Sequence, residues 1–402
     1  MPDDETIRTI THGHRIVETA VRDFILLFVS IVYQAMPFVI LGAIIAGVVE
    51  ELTPHRAFAF VVSLGVGGLG LILSGKLGGS ADREMLVWGA RALSVVAGGG
   101  LFYVLVHTKP FFDAFLSHLG ENRTLGIAMS CLLGLVIPMC ECGIIPVTRR
   151  LLRKGLPVSC CVAYILSGPI INVVVLLSTY VAFYRYAPVD MGEGWMMALR
   201  AGLGFLVAFG TGLIVERSYR KYGDELLTPL VRQRPAADQS FDQAESRPLG
   251  QRLGKISETA LHDFVDITVF LIMGALFTAF LGMLVSKSTV TELSEGFPVM
   301  TIAVMMLLAV VLCLCSEADA FVAASYNTLP AAKLSFLVLG PMLDIKLFLM
   351  YRTMFRARLI WTIFSAVAAQ VFVYSVITHY VWTAVAPHYL ADRPPGAETK
   401  GP

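Results

Sequence analysis

The segment GLPVSCCVAYILSGPIINVVVLLSTYVAFY, residues 155–184, contains no aspartate, glutamate, lysine or arginine. A helix needs about 20 mostly apolar residues to cross a bilayer, so this segment predicts a membrane span. Residues 24–49 and 359–386 are equally free of charged side chains. The whole chain agrees, because 56% of its 402 residues are hydrophobic and its mean hydropathy is +0.71. We predict an all-α, polytopic integral membrane protein and exclude a soluble multi-domain enzyme.

Ten apolar segments are long enough to be considered as crossings, which suggests about eight to ten transmembrane helices. They lie near residues 24–49, 57–75, 85–106, 124–148, 155–184, 195–215, 264–286, 296–316, 334–351 and 359–386. With a cytoplasmic N-terminus, ten crossings put 21 lysines and arginines inside and 10 outside. The positive-inside rule favours this orientation, and we expect a multi-pass protein of the inner (cytoplasmic) membrane.

One connection disagrees with this count. Residues 344–358 carry four basic side chains but would face outward. Either the count is off by one near the C-terminus, or part of this segment is a re-entrant element packed within protein.

Composition also limits the partners. The formal charge of +1 argues against a nucleic-acid partner, and seven cysteines are too few for a disulfide scaffold. No credible nucleotide-binding motif is present, so uphill transport would need an ion gradient or a partner protein. We expect a small-molecule or ion substrate, a lipid bilayer around the chain, no cofactor and no enzymatic activity; a soluble partner protein is an open alternative.

The chain divides into two similar halves. Residues 18–24, ETAVRDF, match residues 258–264, ETALHDF, at five of seven positions. The polar, proline-containing stretch 216–255 predicts a flexible cytoplasmic linker. We therefore predict a first membrane repeat at 1–215, with about two additional helices near 57–106, a second repeat at 256–392 and a disordered tail at 393–402. Similar hydrophobic halves with broken helices are typical of transporters. Ten crossings would make the repeats parallel, and an odd number would invert them.

Each half carries a Cys-x-Cys pair where its helix looks broken, Cys140-Glu-Cys142 and Cys313-Leu-Cys315. Residues two apart in a regular helix point to nearly opposite faces, so both thiols can serve one ligand only where the helix is unwound. Soft thiolates select Zn, Cu(I) or trivalent arsenic. The four cysteines are therefore candidate substrate-binding residues that could hold a soft metal ion. Simple packing is the alternative.

Packing is the better interpretation for Cys131, Cys160 and Cys161, which have no repeat counterparts. Proline and glycine supply the means of breaking the helices. The predicted hinge positions are Pro138, Gly143, Pro146, Gly168, Pro169, Gly340 and Pro341.

Ionisable side chains near these breaks are the second chemical feature. A charged carboxylate at a helix centre costs about 2.5–3.5 kcal/mol on insertion scales, so such residues tend to line a cavity, pair or carry protons. Asp344 follows Gly340-Pro341 at the place where the first half has the uncharged Asn172, and both are candidate substrate-binding residues. Alternatively, these acidic side chains lie at helix ends that are exposed to water and carry no proton. The predicted proton-coupling residues are Glu141, Glu317, Asp319, Asp344 and Lys346.

Four stretches resemble the bacterial predicted-permease family that includes the ArsP-like exporters of trivalent organoarsenicals. They are MCECGIIPVTRRLLRKGLP (139–157), SGPIIN (167–172), CLCSEADAF (313–321) and GPMLD (340–344). The resemblance implies a polytopic inner-membrane permease. By motif position it points to Cys140, Cys142, Gly143, Pro146, Asn172, Cys313, Cys315, Asp319 and Asp344.

The leading hypothesis is a secondary transporter that exports a thiophilic solute, either a trivalent organoarsenical or a soft metal ion, with proton coupling. Two alternatives stay open. One is a membrane-embedded thiol redox protein that cycles between dithiol and disulfide, and the other is the membrane subunit of a metal-handling complex with a soluble partner.

Overall fold

The computed structural model describes residues 122–136, 141–153, 156–186, 194–229, 249–284, 297–312, 314–326 and 328–391, and scattered helical positions between 22 and 44. The first half contains α1 (Arg123–Val136), α2 (Glu141–Arg153), α3 (Val158–Ile171), α4 (Val173–Tyr186), α5 (Trp195–Tyr222) and a 3-10 turn, Gly223–Leu226. The second contains α6 (Leu249–Leu284), α7 (Pro298–Leu312), α8 (Ser316–Ser325), α9 (Pro330–Leu339), α10 (Ile345–Tyr351) and α11 (Ala357–Ala391). The prediction of an all-α membrane protein is confirmed.

Three described stretches are long and apolar enough to cross a membrane: Val158–Tyr184, Trp195–Leu226 and Ala357–Ala384. They match the predicted crossings at 155–184, 195–215 and 359–386. Helices α1, α7 and α9 are apolar but have only 10–17 residues, fewer than the roughly 20 that a crossing needs.

The end of α5 is fixed to the connection between α10 and α11. Leu227 and Phe355 form an isolated antiparallel bridge, and the amide of Arg356 donates to the carbonyl of Leu226 at 2.9 Å. We call this the linker end of the helix bundle, because the chain leaves it for the predicted linker. The far side is the opposite end.

Helices α3 and α5 run antiparallel. The hydroxyl of Ser159, at the start of α3, donates to the carboxylate of Glu216 near the end of α5, at 2.7 Å. Further along, Ile170 packs against Gly204 so closely that a Cβ on the glycine would lie 2.5 Å from Ile170 Cγ2. Small residues allow such close helix contacts. Consequently α3 starts at the linker end, and α3 and α4 together run to the opposite end.

The equivalent pair in the second half, α9 and α10, runs the other way. The ammonium group of Lys333, near the start of α9, lies 5.9 Å from the ring centroid of Phe183 near the end of α4. At the other extreme, Thr353 follows α10 and accepts a hydrogen bond from the Arg149 guanidinium at 2.9 Å. Because α3 to α4 leaves the linker end and α9 to α10 arrives there, the two halves are inverted.

Helix α1 begins and helix α2 ends at the linker end of the bundle. Arg123 at the start of α1 lies 4.0 Å from Glu216, and Gly134 near its end packs against Gly168 in the middle of the bundle. Helix α2 then returns toward Thr353 at the linker end. The predicted crossing at 124–148 is therefore a re-entrant segment.

Helices α7 and α8 form the matching re-entrant segment from the opposite end. The hydroxyl of Ser335, early in α9, lies 3.5 Å from the carbonyl of Ile302, early in α7. Helix α8 begins in the middle of the bundle and packs along α4 and α9. Re-entrant backbone of this kind is tolerated at membrane depth where it is surrounded by protein.

Of the two alternatives that the sequence leaves open, this arrangement corresponds to re-entrant elements and inverted repeats; the total number of crossings stays a prediction, because residues 57–75 and 85–106 lie outside the described chain. Residues 352–358 lie at the linker end rather than on the outer side of the bundle. A hydropathy window does not distinguish a re-entrant pair of short helices from one long crossing.

Helices overlap both ends of the predicted linker at 216–255. Helix α5 extends to Tyr222 and α6 begins at Leu249, so only residues 230–248 of the interval 216–255 remain outside the described chain. Polar composition predicts a linker from residue 216, but Glu216 belongs to α5, where its carboxylate accepts hydrogen bonds from Ser159 and Arg220. The predicted additional helices near 57–106 and the tail at 393–402 lie outside the described residues.

Replacing Gly134 by alanine should destabilise the protein by about 1–3 kcal/mol. A Cβ there would lie 2.7 Å from the backbone Cα of Gly168, and neither backbone can yield without separating α1 from α3. The matched control is Gly202→Ala, since nothing lies within 4 Å of a Cβ at that position. It should be neutral or stabilise by about 0.5–1 kcal/mol. Unfolding of both variants in detergent measures this, and equal stabilities would contradict the helix contact.

Candidate functional site

The two re-entrant segments meet in the middle of the bundle. Glu141 is the first residue of α2 and Ser316 the first residue of α8. The hydroxyl of Ser316 donates to the Glu141 carboxylate at 2.8 Å, and both side chains are buried. We call this meeting point, with the charged residues around it, the centre.

A buried ion-pair network joins the two halves at the centre. The ammonium group of Lys346 lies 3.0 Å from Glu141 Oε1 and 3.4 Å from Asp344 Oδ2. Each of these three side chains is at most 3% exposed. Gly274 of α6 packs directly on Lys346, since a Cβ at that position would lie 3.1 Å from Lys346 Cβ. Three of the predicted proton-coupling residues are thus brought together.

Asn172 and Asp344 occupy equivalent places in the inverted halves. Each interrupts a broken helix, Asn172 between α3 and α4, and Asp344 just before α10. Asn172 Oδ1 accepts from the amide of Val175 at 2.9 Å, and Asp344 Oδ1 accepts from the amide of Leu347. Both side chains therefore cap the helix that follows. Only Asp344 adds a charge, which Lys346 compensates.

Arg200 belongs to the centre, although sequence reasoning did not select it. Its side chain is 0% exposed and is among the largest fully buried side chains described. The guanidinium donates to Thr179 Oγ1 at 2.6 Å and to the carbonyl of Ser316 at 2.9 Å. An arginine within the apolar segment 195–215 was the available signal, because charged residues in spans usually face a protein interior.

Asp319 is buried at the centre, and its carboxylate forms no ion pair within the described chain. Its side chain is 2% exposed, and its Oδ2 accepts no hydrogen bond. It packs against Gly340, where a Cβ would lie 2.9 Å from Oδ2. In the first half Gly168 packs in the same way against Ile144. Both side chains stand three residues after the start of their helices, so the acid occupies a position that is apolar in the other repeat.

The remaining predicted acid is more open to its surroundings. Glu317 lies in the first turn of α8 and is only half-buried. It forms no ion pair with a base in the described part of the chain.

The structure describes the predicted cysteines only in part. Cys315 is half-buried at the N-cap of α8, directly before Ser316. Cys142 lies in the first turn of α2. Cys140, Cys313 and Pro138 lie outside the described residues. Within the part that is described, no group of three or more His, Cys, Asp or Glu side chains is arranged to hold a metal ion.

The cysteines without repeat counterparts are buried in the bundle. Cys131, Cys160 and Cys161 are fully or almost fully buried and form no disulfide. Their environment is that of packing residues in the core of α1 and α3.

The predicted hinge residues fall into two groups. Gly143 and Pro146 lie inside α2, and Gly168 and Pro169 lie inside α3, so these four residues do not unwind their helices. Gly340 and Pro341 follow the last residue of α9 and stand at the actual break. In the first half the corresponding break is at Asn172.

The sequence matches the profile of the ArsP_1 family, described as predicted permease, over residues 102–380. The chain belongs to this family. The matched interval includes both re-entrant segments and the centre, so the protein is a membrane permease and the family match spans parts of both halves.

Two curated proteins are similar along most of their length. The UPF0718 protein YcgR of Bacillus subtilis is 29% identical over 354 residues, which cover 87% of this chain and 95% of the relative. A Streptococcus mutans protein, provisionally named as a two-component membrane permease complex subunit, is 25% identical over 357 residues, covering 87% and 93%. No solved structure matches this permease.

Proposed function

We propose that this permease is a secondary transporter of the inner membrane that exports a thiophilic solute, a trivalent organoarsenical or a soft metal ion, coupled to protons. The observation that carries the proposal is the contact between Glu141 and Ser316, where two inverted re-entrant segments meet among buried charges. Inverted halves give a chain two related conformations of similar energy, as alternating access requires.

The cysteine pairs support the choice of substrate class. Glu141 is flanked by Cys140 and Cys142, and Cys315 immediately precedes Ser316. Thiol groups on both re-entrant segments are therefore close in sequence to the contact that joins them. Thiolates bind soft acceptors such as trivalent arsenic, Zn or Cu(I).

Charge at the linker end supports the orientation. Arg220, Lys221, Arg352, Arg356 and Arg358 lie on or beside the segments that are joined there. Because basic residues near membrane boundaries favour the cytoplasmic side, we propose that the linker end is cytoplasmic.

Buried acids support proton coupling. Glu141, Asp319 and Asp344 share the centre with two basic side chains, Arg200 and Lys346. With all five side chains ionised the group carries one net negative charge, and protonation of one acid removes the cost of that charge.

Uptake of trivalent methylarsenical into everted membrane vesicles tests the proposal. Wild type should accumulate the compound when a proton gradient is present, and the double variant Cys140→Ser, Cys313→Ser should not. The matched control is Cys131→Ala, which removes a buried thiol away from the centre and should retain uptake. Uptake by the double variant equal to wild type would remove the cysteines from the pathway, and wild-type uptake no greater than that of empty vesicles would contradict this substrate.

One relative favours a second candidate function. The Streptococcus mutans protein is named as a complex subunit, so this chain is alternatively a membrane subunit that works only with a partner. Purified protein in liposomes separates the two ideas. Transport by the chain alone would exclude an obligatory partner, whereas transport in native vesicles that is lost on purification would support one.

A further inference from the structure

Two charged side chains at the centre, Arg200 and Asp319, have no oppositely charged partner within ion-pair distance in the described part of the chain. Glu141, Lys346 and Asp344 form a continuous ion-pair network. Arg200 instead donates to a hydroxyl and a carbonyl, both neutral, and its Nε has no hydrogen-bond partner. Asp319 has a buried carboxylate oxygen that accepts no hydrogen bond. Burial of such groups without partners is costly.

Both side chains are associated with the first turn of α8. Arg200 binds the carbonyl of Ser316, and Asp319 is three residues further along α8, a spacing that puts residues on the same helix face about 5–6 Å apart. Nevertheless, within the described chain they form no ion pair.

We propose that Arg200 is a positioning residue that exchanges partners during transport, binding the Ser316 carbonyl in the conformation seen here and the Asp319 carboxylate in another. The inference rests on the proposed function as a transporter, and it names the pair of residues that links α5 to the movement of α8. The two partners in this exchange, the Ser316 carbonyl and the Asp319 carboxylate, both lie within the first turn of α8.

The exchange has a consequence for the coupled proton. The other charged side chains at the centre are Arg200 from α5, Glu141 from α2, and Lys346 and Asp344 at α10; Glu317 lies on the same helix as Asp319. Lys346 is already bound to two acids. While Arg200 stays on Ser316, Asp319 is uncharged and holds the proton as a carboxylic acid.

Pairing with Arg200 reverses this state. The carboxylic O–H bond breaks, the proton passes to water on the side then open, and the carboxylate binds the guanidinium, which keeps its own charge. The first repeat cannot perform the same exchange, since Ile144 occupies the equivalent place. The exchange of partners by Arg200 therefore acts on the α7–α8 segment alone.

Infrared spectroscopy with isotope-labelled aspartate tests this on purified protein without any substrate. At neutral pH the wild type should show the C=O band of a protonated aspartic acid, and Asp319→Asn should lack it. Glu216→Gln, which alters a buried acid at the linker end, should leave the band unchanged. A wild type without the band, or a band retained in Asp319→Asn, would overturn the proposal.

The Arg200→Gln variant tests the partner exchange. The pH at which the band disappears should rise by about 1–3 units, since an adjacent guanidinium stabilises the ionised carboxylate by this amount. An unchanged titration would leave Arg200 a purely structural role and contradict the exchange. If Arg200→Gln does not fold, the double variant with Asp319→Asn, which has no uncompensated acid at this position, should fold; failure of both would contradict the pairing.

Transport provides the second measurement. Asp319→Asn should still exchange substrate across vesicle membranes but should lose accumulation driven by a proton gradient. If the arsenical is not a substrate while the infrared results are as expected, the proposed substrate fails and the Arg200–Asp319 exchange stands. If wild type transports the arsenical and Asp319→Asn accumulates it normally, the exchange fails and the transporter stands.

Discussion

Replacement of Lys346 by methionine should destabilise the protein by about 3–5 kcal/mol and abolish transport. The ammonium group of Lys346 compensates both Glu141 and Asp344, at 3.0 and 3.4 Å, in an environment that excludes water. Methionine has a similar length but no charge, so the variant leaves two buried carboxylates facing each other. Because Glu141 lies in the first half and Asp344 in the second, the two halves should separate at the centre.

Lys333→Met is the matched control for this experiment. Lys333 is also a mostly buried lysine, but its described contact is with the ring of Phe183 rather than with an acid. Its replacement should cost no more than about 1–2 kcal/mol. Unfolding in detergent, followed by circular dichroism, measures both variants. Equal losses for Lys333→Met and Lys346→Met would mean that the ion-pair network does not hold the halves together.

A second substitution tests whether the loss of stability in Lys346→Met comes from the unpaired charge or from the changed side-chain shape. Glu141→Gln combined with Lys346→Met removes one acid with its base, and the remaining Asp344 carboxylate still accepts the helix-capping hydrogen bond from Leu347. This double variant should recover much of the stability that Lys346→Met loses. It should not recover proton-coupled transport, because the centre then lacks two of its charged groups.

The sequence contains enough information for the membrane class and for the pairing of Asn172 with Asp344. Long uncharged segments report membrane helices directly. The Gly-Pro motif before both residues identified them as equivalent, and both cap the helix that follows a break. Local sequence suffices here because capping and helix breaking act within a few residues.

The inverted arrangement was not predictable from hydropathy. Short helices such as α1 and α7 are as apolar as true crossings, and only long-range contacts reveal that the chain turns back. The contact between Ser316 and Glu141 joins residues 175 apart, and that between Lys346 and Glu141 joins residues 205 apart. Neither sequence spacing nor composition encodes such distances.

Which acidic side chain carries the proton also depends on the residues that surround it in the folded chain. The sequence predicts both Asp319 and Asp344 as proton-coupling residues and does not rank them by their surroundings. In the folded chain each acid has one buried oxygen without a hydrogen bond, but Asp344 also accepts from a capping amide and forms an ion pair with Lys346, and Asp319 forms no ion pair within the described residues. Arg200 is not among the predicted site residues, although it contacts both halves.

Side-specific labelling tests the inverted arrangement most directly. Single cysteines replace Glu225 after α5, Arg356 before α11, and Trp195 at the start of α5, all of which are exposed. Helix α5 has 28 residues and is therefore about 42 Å long, so Trp195 lies at the opposite end from Glu225. A membrane-impermeant maleimide is applied to intact cells and to everted vesicles, with the unsubstituted protein as the background control.

Cysteines at 225 and 356 should react from the same side of the membrane, and the cysteine at 195 should react from the other. This result would establish that α9 and α10 run opposite to α3 and α4, with the re-entrant segments meeting at the centre. Reaction of position 356 together with position 195, and not with position 225, would contradict the inverted repeats and the account built on them.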